Sequence, residues 1–182
     1  MASPEVKRIK RKIKKDDRFK ALKENLDSER FNIPFDTWRK ELKFNHSQRT
    51  LTKLKTSDPK FGKKVIKSTQ REMSTRSRCV EMKVMCTQIE RSMKSALDYF
   101  EDYLLLEYSV ELKHFGTVKE RQKFVQGLLR PFQEYLDKVI SMNAEIQVYI
   151  DDIDKAGYGL KAMVDVFVTI FKTEGRVVGK NI

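Results

Sequence analysis

The chain has 182 residues, with 38 Lys and Arg against 26 Asp and Glu, a formal net charge of +12 and a hydrophobic fraction of 40%. That apolar share supplies one core with an appended segment, and no apolar run approaches the ~20 residues that a bilayer span requires. Only seven Gly and four Pro interrupt abundant helix formers, so the expected fold class is all-α.

The charge is unevenly spread. Residues 1–94 hold 27 Lys and Arg against 12 Asp and Glu, a net of +15, whereas residues 95–182 hold 11 against 14. A positive charge confined to one half marks where a polyanion would sit. The opening MASPEVKRIKRK has no apolar segment after its cations, so a secretory signal is not expected and a cytoplasmic location is. Cys79 and Cys86 lie seven apart, roughly 10 Å along a helix axis, which is too far for a disulfide within it. Neither belongs to a Cys/His set with zinc spacing, and buried, reduced thiols are the expectation.

In chain order, Ser3 and Pro4 read as a cap and first helical residue. Val6, Ile9 and Ile13, then Phe19, Leu22 and Leu26, keep helical spacing. Seven cations between Lys7 and Lys15 repel one another, so residues 1–30 are expected to form a basic amphipathic arm that orders on a partner. Its basic and apolar residues suit an anionic membrane or nucleic-acid phosphates; the second basic block downstream favours nucleic acid.

Residues 31–56 form a small aromatic and basic helical module. Asp36 is placed to cap a helix carrying Trp38 and Leu42, and Asn45 suits a left-handed turn. Ser47, Thr50, Leu51 and Leu54 follow at the spacing of a second helix. This stretch resembles the turn and recognition helix of helix-turn-helix proteins, and the resemblance implies that Gln48, Arg49 and Lys53 face a DNA groove. Upstream, Lys40 and Glu41 depart from the small apolar residues of that pattern. Phe31, Phe35, Trp38 and Phe44 suit either stacking on single-stranded bases or a small core.

Residues 57–182 are read as a long helix leading into a helical bundle. Thr56-Ser57-Asp58-Pro59 starts a helix that meets no strong breaker until about Ser109. Its first half carries a stripe of cations; its second half carries Met82, Met85, Cys86, Ile89, Met93, Ala96, Leu97, Phe100, Tyr103 and Leu104 as an apolar stripe. Thr117 and Glu120 have capping-box spacing before a further apolar face running from Val118 to Ile153. Pro131 is expected to kink or divide that helix, and Gly157 and Gly159 to end it before a last helix over about 160–172. These helices are expected to pack antiparallel, turning near 109–117 and 156–160.

Catalytic residues are scarce. There are two histidines, His46 and His114, and no Walker A, G-x-S-x-G or G-x-G-x-x-G motif, so an enzyme, a cofactor and a metal are not expected. Asp98, Glu101 and Asp102, or Asp151, Asp152 and Asp154 with Glu145, have the residue types of a metal site, but a solvated acidic face or a counter-charge for the basic half of another subunit is the favoured reading of each. Residues 39–78 carry 13 cations against three anions. Lys60, Lys63, Lys64, Lys67, Arg71, Arg76 and Arg78, with Arg49, Lys53 and Lys55 beside them, are therefore the expected phosphate contacts, and Ser68 and neighbouring hydroxyls can add donors. The expected function is a non-enzymatic nucleic-acid-binding accessory protein, DNA before RNA, self-associating or docking a protein partner through its helical C-terminal half. The alternative is an assembly or scaffold protein of a large nucleoprotein complex, such as the DNA-recognition subunit of a packaging machine.

Overall fold

A computed structural model describes residues 4–26, 28, 31–50, 53–54 and 60–178, without the side chains of 167 and 170–178. Among the described residues there is no strand. The helices are α1 (Pro4–Lys15), α2 (Asp17–Leu26), α3 (Phe35–Ser47), α4 (Phe61–Glu107), α5 (Ser109–Leu112) and α6 (Val118–Val178), with a 3-10 turn at Lys113–Phe115. The fold is all-α. The chain divides into two compact units that do not follow the sequence-based divisions at residues 30 and 56: Met1–Pro34 with Val84–Asn143, and Phe35–Lys83 with Ala144–Ile182. Both long helices, α4 and α6, contribute residues to each unit.

In the first unit, Ile9 and Ile13 of α1 and Phe19 and Leu22 of α2 are buried. So are Cys86, Ile89, Met93, Leu97 and Leu104 of α4, and Val125, Leu128, Leu129, Leu136, Val139 and Met142 of α6. The segment expected to be a conditional arm is thus part of a core. Its cations stay on the outer face, Lys12 is paired with Glu111, and its ammonium lies 5.5 Å from the Tyr108 ring centroid. Gln126 meets Glu101, and Asn143 meets Glu90, so the residue number rises along α6 as it falls along α4.

Asp16 ties these helices together. One carboxylate oxygen accepts the backbone N–H groups of Arg18 (2.9 Å) and Phe19 (3.1 Å), capping α2. The other accepts the hydroxyls of Tyr103 (2.9 Å) and Tyr108 (2.8 Å). Burial works to raise the Asp16 carboxyl, but the donors from Tyr108, Phe19, Tyr103 and Arg18 outweigh it and hold the group below its ordinary value.

The connection after α5 is built by local chemistry. Gly116 adopts φ 68°, which favours glycine, and a Cβ there would lie 3.0 Å from Glu120 Oε2. The capping box forms reciprocally: Glu120 N–H donates to Thr117 Oγ1 (3.3 Å) and Thr117 N–H to Glu120 Oε2 (3.0 Å). The expected helix start at 56–59 lies outside the described residues, as does Ser3.

Three sequence expectations are corrected. Pro131 does not divide α6, which is continuous across it. The carbonyl that proline leaves without its usual donor is that of Gly127, and both residues are exposed, so water can satisfy it. Gly157 and Gly159 do not end α6 either, and no turn forms at 156–160. Neither has positive φ, and a mid-helix glycine costs only about 1 kcal/mol relative to alanine. Finally, among the described residues no second helix follows α3 where the helix-turn-helix resemblance implied one. Asn45, His46 and Ser47 are the last residues of α3, Gln48 is a turn, and Arg49 and Thr50 are non-helical; Leu51 and Thr52 lie outside the described residues. Trp38 and Leu42 anchor α3 in the second unit with Cys79, Met82, Ile146, Ile150 and Ile153 as fellow core residues.

Two predictions follow from this packing. Asp16→Ala lowers unfolding free energy by about 2 kcal/mol at pH 7, read from urea denaturation, because a cap and two phenol contacts are lost together. Since the folded carboxyl titrates below 3.8, its contribution is present above that pH and fades as pH falls through the folded value, so the variant and parent converge in acid. Cys79 and Cys86 are both free and buried, and burial pushes the Cys79 thiol up and the Cys86 thiol up to about 11. Neither should react with a thiol reagent at pH 8 until denaturant is added, when two equivalents titrate.

Candidate nucleic-acid interface

The basic stripe of α4 lies in the second unit. Lys64, Lys67, Ser68 and Arg71 sit at i, i+3, i+4 and i+7, one face of a helix. Facing them are Thr50, Lys53 and Leu54, and together these seven residues line a groove of about 450 Å³. Thr50 Oγ1 and Ser68 Oγ are hydrogen-bonded at 2.7 Å, which joins the two walls. Arg71 Nη1 donates to the Gln48 carbonyl at 3.3 Å, which steadies its guanidinium at the groove edge.

Among the described residues that line it, four are cations and none is acidic. This is an unfavourable place for cations. The N-terminus of a helix carries a partial positive charge, and the first turn of α4 holds no carboxylate to offset it. Exposed Lys60 and Lys63 add to the same end.

The remaining expected contacts are placed differently. Lys55 lies outside the described residues. Arg49 is not at a groove surface: its side chain is 11% exposed, its Nε donates to Glu72 at 2.9 and 3.0 Å, and its Nη1 is paired with Asp152. Arg76 meets Asp154 through two hydrogen bonds, at 2.6 and 3.1 Å. That contact holds the Asp154 carboxyl below its ordinary value. Arg78 meets Glu41 at 3.0 Å and Glu81 at 3.2 Å. These three arginines are exchanged for internal pairs, and the groove set narrows to Lys53, Lys64, Lys67 and Arg71, with Lys60 and Lys63 nearby.

The acidic cluster that sequence left open as a metal site is dispersed among these partners. Asp152 serves Arg49 and lies 3.5 Å from His46 Nδ1, Asp154 serves Arg76, and Glu145 accepts from Arg39 at 2.9 Å. Among the described residues no group of three His, Cys, Asp or Glu side chains could hold a metal ion. His46 also packs edge-to-face on Tyr149, with ring centroids 5.9 Å apart. Of the aromatics, Phe31 belongs to the first unit, Trp38 is 5% exposed in the core of the second, and Phe44 is exposed.

Glu72 is the residue that sequence reasoning passed over. It is 7% exposed and is the counter-ion of Arg49. Its signal was available: it is the one carboxylate between residues 59 and 80, amid seven cations. Removing one partner of a buried pair leaves the other uncompensated. Arg49→Ala should therefore lower stability by about 3 kcal/mol, measured by denaturant unfolding. Arg78→Ala, at a half-exposed and screened site, should change it by about 0.5 kcal/mol. Among the described residues no helix is long and apolar enough to cross a membrane. Comparison with protein-family models, with curated proteins and with solved structures gives no match to this chain.

Proposed function

We propose that this protein is a non-enzymatic nucleic-acid-binding accessory protein that contacts phosphates through the groove at the start of α4. The observation that carries this reading is the convergence of Lys53, Lys64, Lys67 and Arg71 on one groove with no carboxylate among the described residues that line it. Cations one helical turn apart match the spacing of successive phosphates along a strand, and the Thr50 and Ser68 hydroxyls supply neutral donors beside them. The affinity comes from releasing counter-ions. In this reading α4 and α6 form the antiparallel helical body, DNA is favoured over RNA, and self-association multiplies weak contacts along the polymer.

A scaffold role in a nucleoprotein assembly is the second reading, and one observation favours it. Beyond Ile153, α6 exposes Tyr158, Met163, Val164, Val166 and Val168, an apolar content that suits docking against protein. Binding to free oligonucleotide supports the first reading; binding only when a protein partner is present supports the second.

With about four phosphates neutralised, duplex affinity should drop roughly a hundredfold between 50 and 200 mM salt. Lys63→Glu, Lys64→Glu and Lys67→Glu together should abolish binding to single- and double-stranded DNA and RNA while circular dichroism stays helical. Arg76→Gln, in an internal pair, should leave affinity unchanged. Undiminished binding by the triple variant would refute the assignment.

A further inference from the structure

The first unit contains a cavity of about 750 Å³ that the basic groove does not explain. Its walls come from α2, the segment after it, α4 and α6: Phe19, Leu26, Phe31, Met93, Leu128 and Phe132. Phe19 and Phe132 meet edge-to-face at 6.1 Å between centroids. Tyr135 also faces the cavity, but its hydroxyl is committed, accepting the Ile33 N–H at 3.2 Å and donating to the Phe31 carbonyl. That pair holds the wall in place.

Among the described residues the charged part of the lining is of one sign: Lys14, Lys20 and Lys23 border the cavity with Asn32, and no carboxylate joins them. Lys20 leans back to Asp17 at 2.9 Å, and among the described residues Lys14 and Lys23 have no carboxylate partner. A volume of this size lies within the range of small-molecule sites, which are apolar with a few polar groups fixing orientation.

We infer that this cavity binds a single-chain amphiphile with an anionic head, its hydrocarbon among Phe19, Leu128 and Phe132 and its head on Lys14 and Lys23. The charge of the rim decides the head group, and the apolar walls decide the tail. A nucleotide fits less well. A buried base needs partners for its polar edge, yet among the described residues Asn32 is the only uncharged polar side chain of the lining whose hydrogen bonds are uncommitted.

The full chain is titrated with cis-parinaric acid, whose fluorescence rises in an apolar site, and then competed with palmitate, hexadecanol or AMP. The inference expects saturable binding at one equivalent, displaced by palmitate and at least tenfold less well by hexadecanol. Lys14→Glu with Lys23→Glu should weaken palmitate about tenfold. Asn32→Trp, an exposed substitution that fills the mouth, should block the site without altering thermal unfolding. Because chain burial dominates, palmitate affinity should survive 200 mM salt, and the triple glutamate variant of α4 should bind it normally, which separates this site from the nucleic-acid groove. Equal affinity for hexadecanol, binding at several equivalents, indifference to the lysine reversals or preference for AMP would each overturn it.

Discussion

Both units depend on two apolar stripes, one on α4 and one on α6. On α4 the buried positions Cys79, Met82, Cys86, Ile89, Met93, Leu97 and Leu104 recur at intervals of three, four and seven; on α6 Val125, Leu129, Leu136, Val139, Met142, Ile146, Ile150 and Ile153 keep similar intervals. Helices of 47 and 61 residues gain most of their stability from burying such a face rather than from propensity. Once the stripes are buried, the polar chemistry of the chain is constrained to what lies on the flanks, and the short helices α1 to α3 add their own apolar residues to the same cores.

Because each unit draws on both ends of the sequence, the charge asymmetry of the chain is reduced on folding. The halves of the sequence differ by +15 against −3, but the first unit holds 19 Lys and Arg against 15 Asp and Glu, and the second 19 against 11. The carboxylates of residues 144–154 supply what the basic block lacks. Asp152 and Asp154 neutralise Arg49 and Arg76, and Glu145 neutralises Arg39. Arginine takes these internal roles because its fork makes two bonds to a carboxylate at once. The cations of the groove are mainly lysines, which carry charge without that demand. The division between structural arginines and outward-facing lysines is what separates fold from candidate function within one basic block.

The first turn of α4 carries cations and no acidic residue at the positive end of a long helix. Asp16 shows the opposite arrangement, a carboxylate at a helix start with every oxygen supplied with donors. The start of α2 thereby satisfies its backbone from within the chain.

Much of the fold was legible in the sequence because it rests on local rules. The helical class, the long helix ending near Ser109, the Thr117–Glu120 capping box and the buried cysteines all follow from spacing, propensity and caps acting over a few residues. Within the stripes, Met142 is fully buried between Val139 and Ile146, while Met85 and Val118 are exposed, because a helix wheel does not say where a partner's surface ends. Gly157 and Gly159 were overread as breaks, and Pro131 does not divide its helix, since a weak helix residue yields when flanking packing is continuous. What the sequence by itself determined is which segments are helical and which of their faces are apolar. Which cations stay open to solvent was decided by tertiary structure alone, because the carboxylates that claim Arg49, Arg76 and Arg78 are brought within reach only when distant segments fold together.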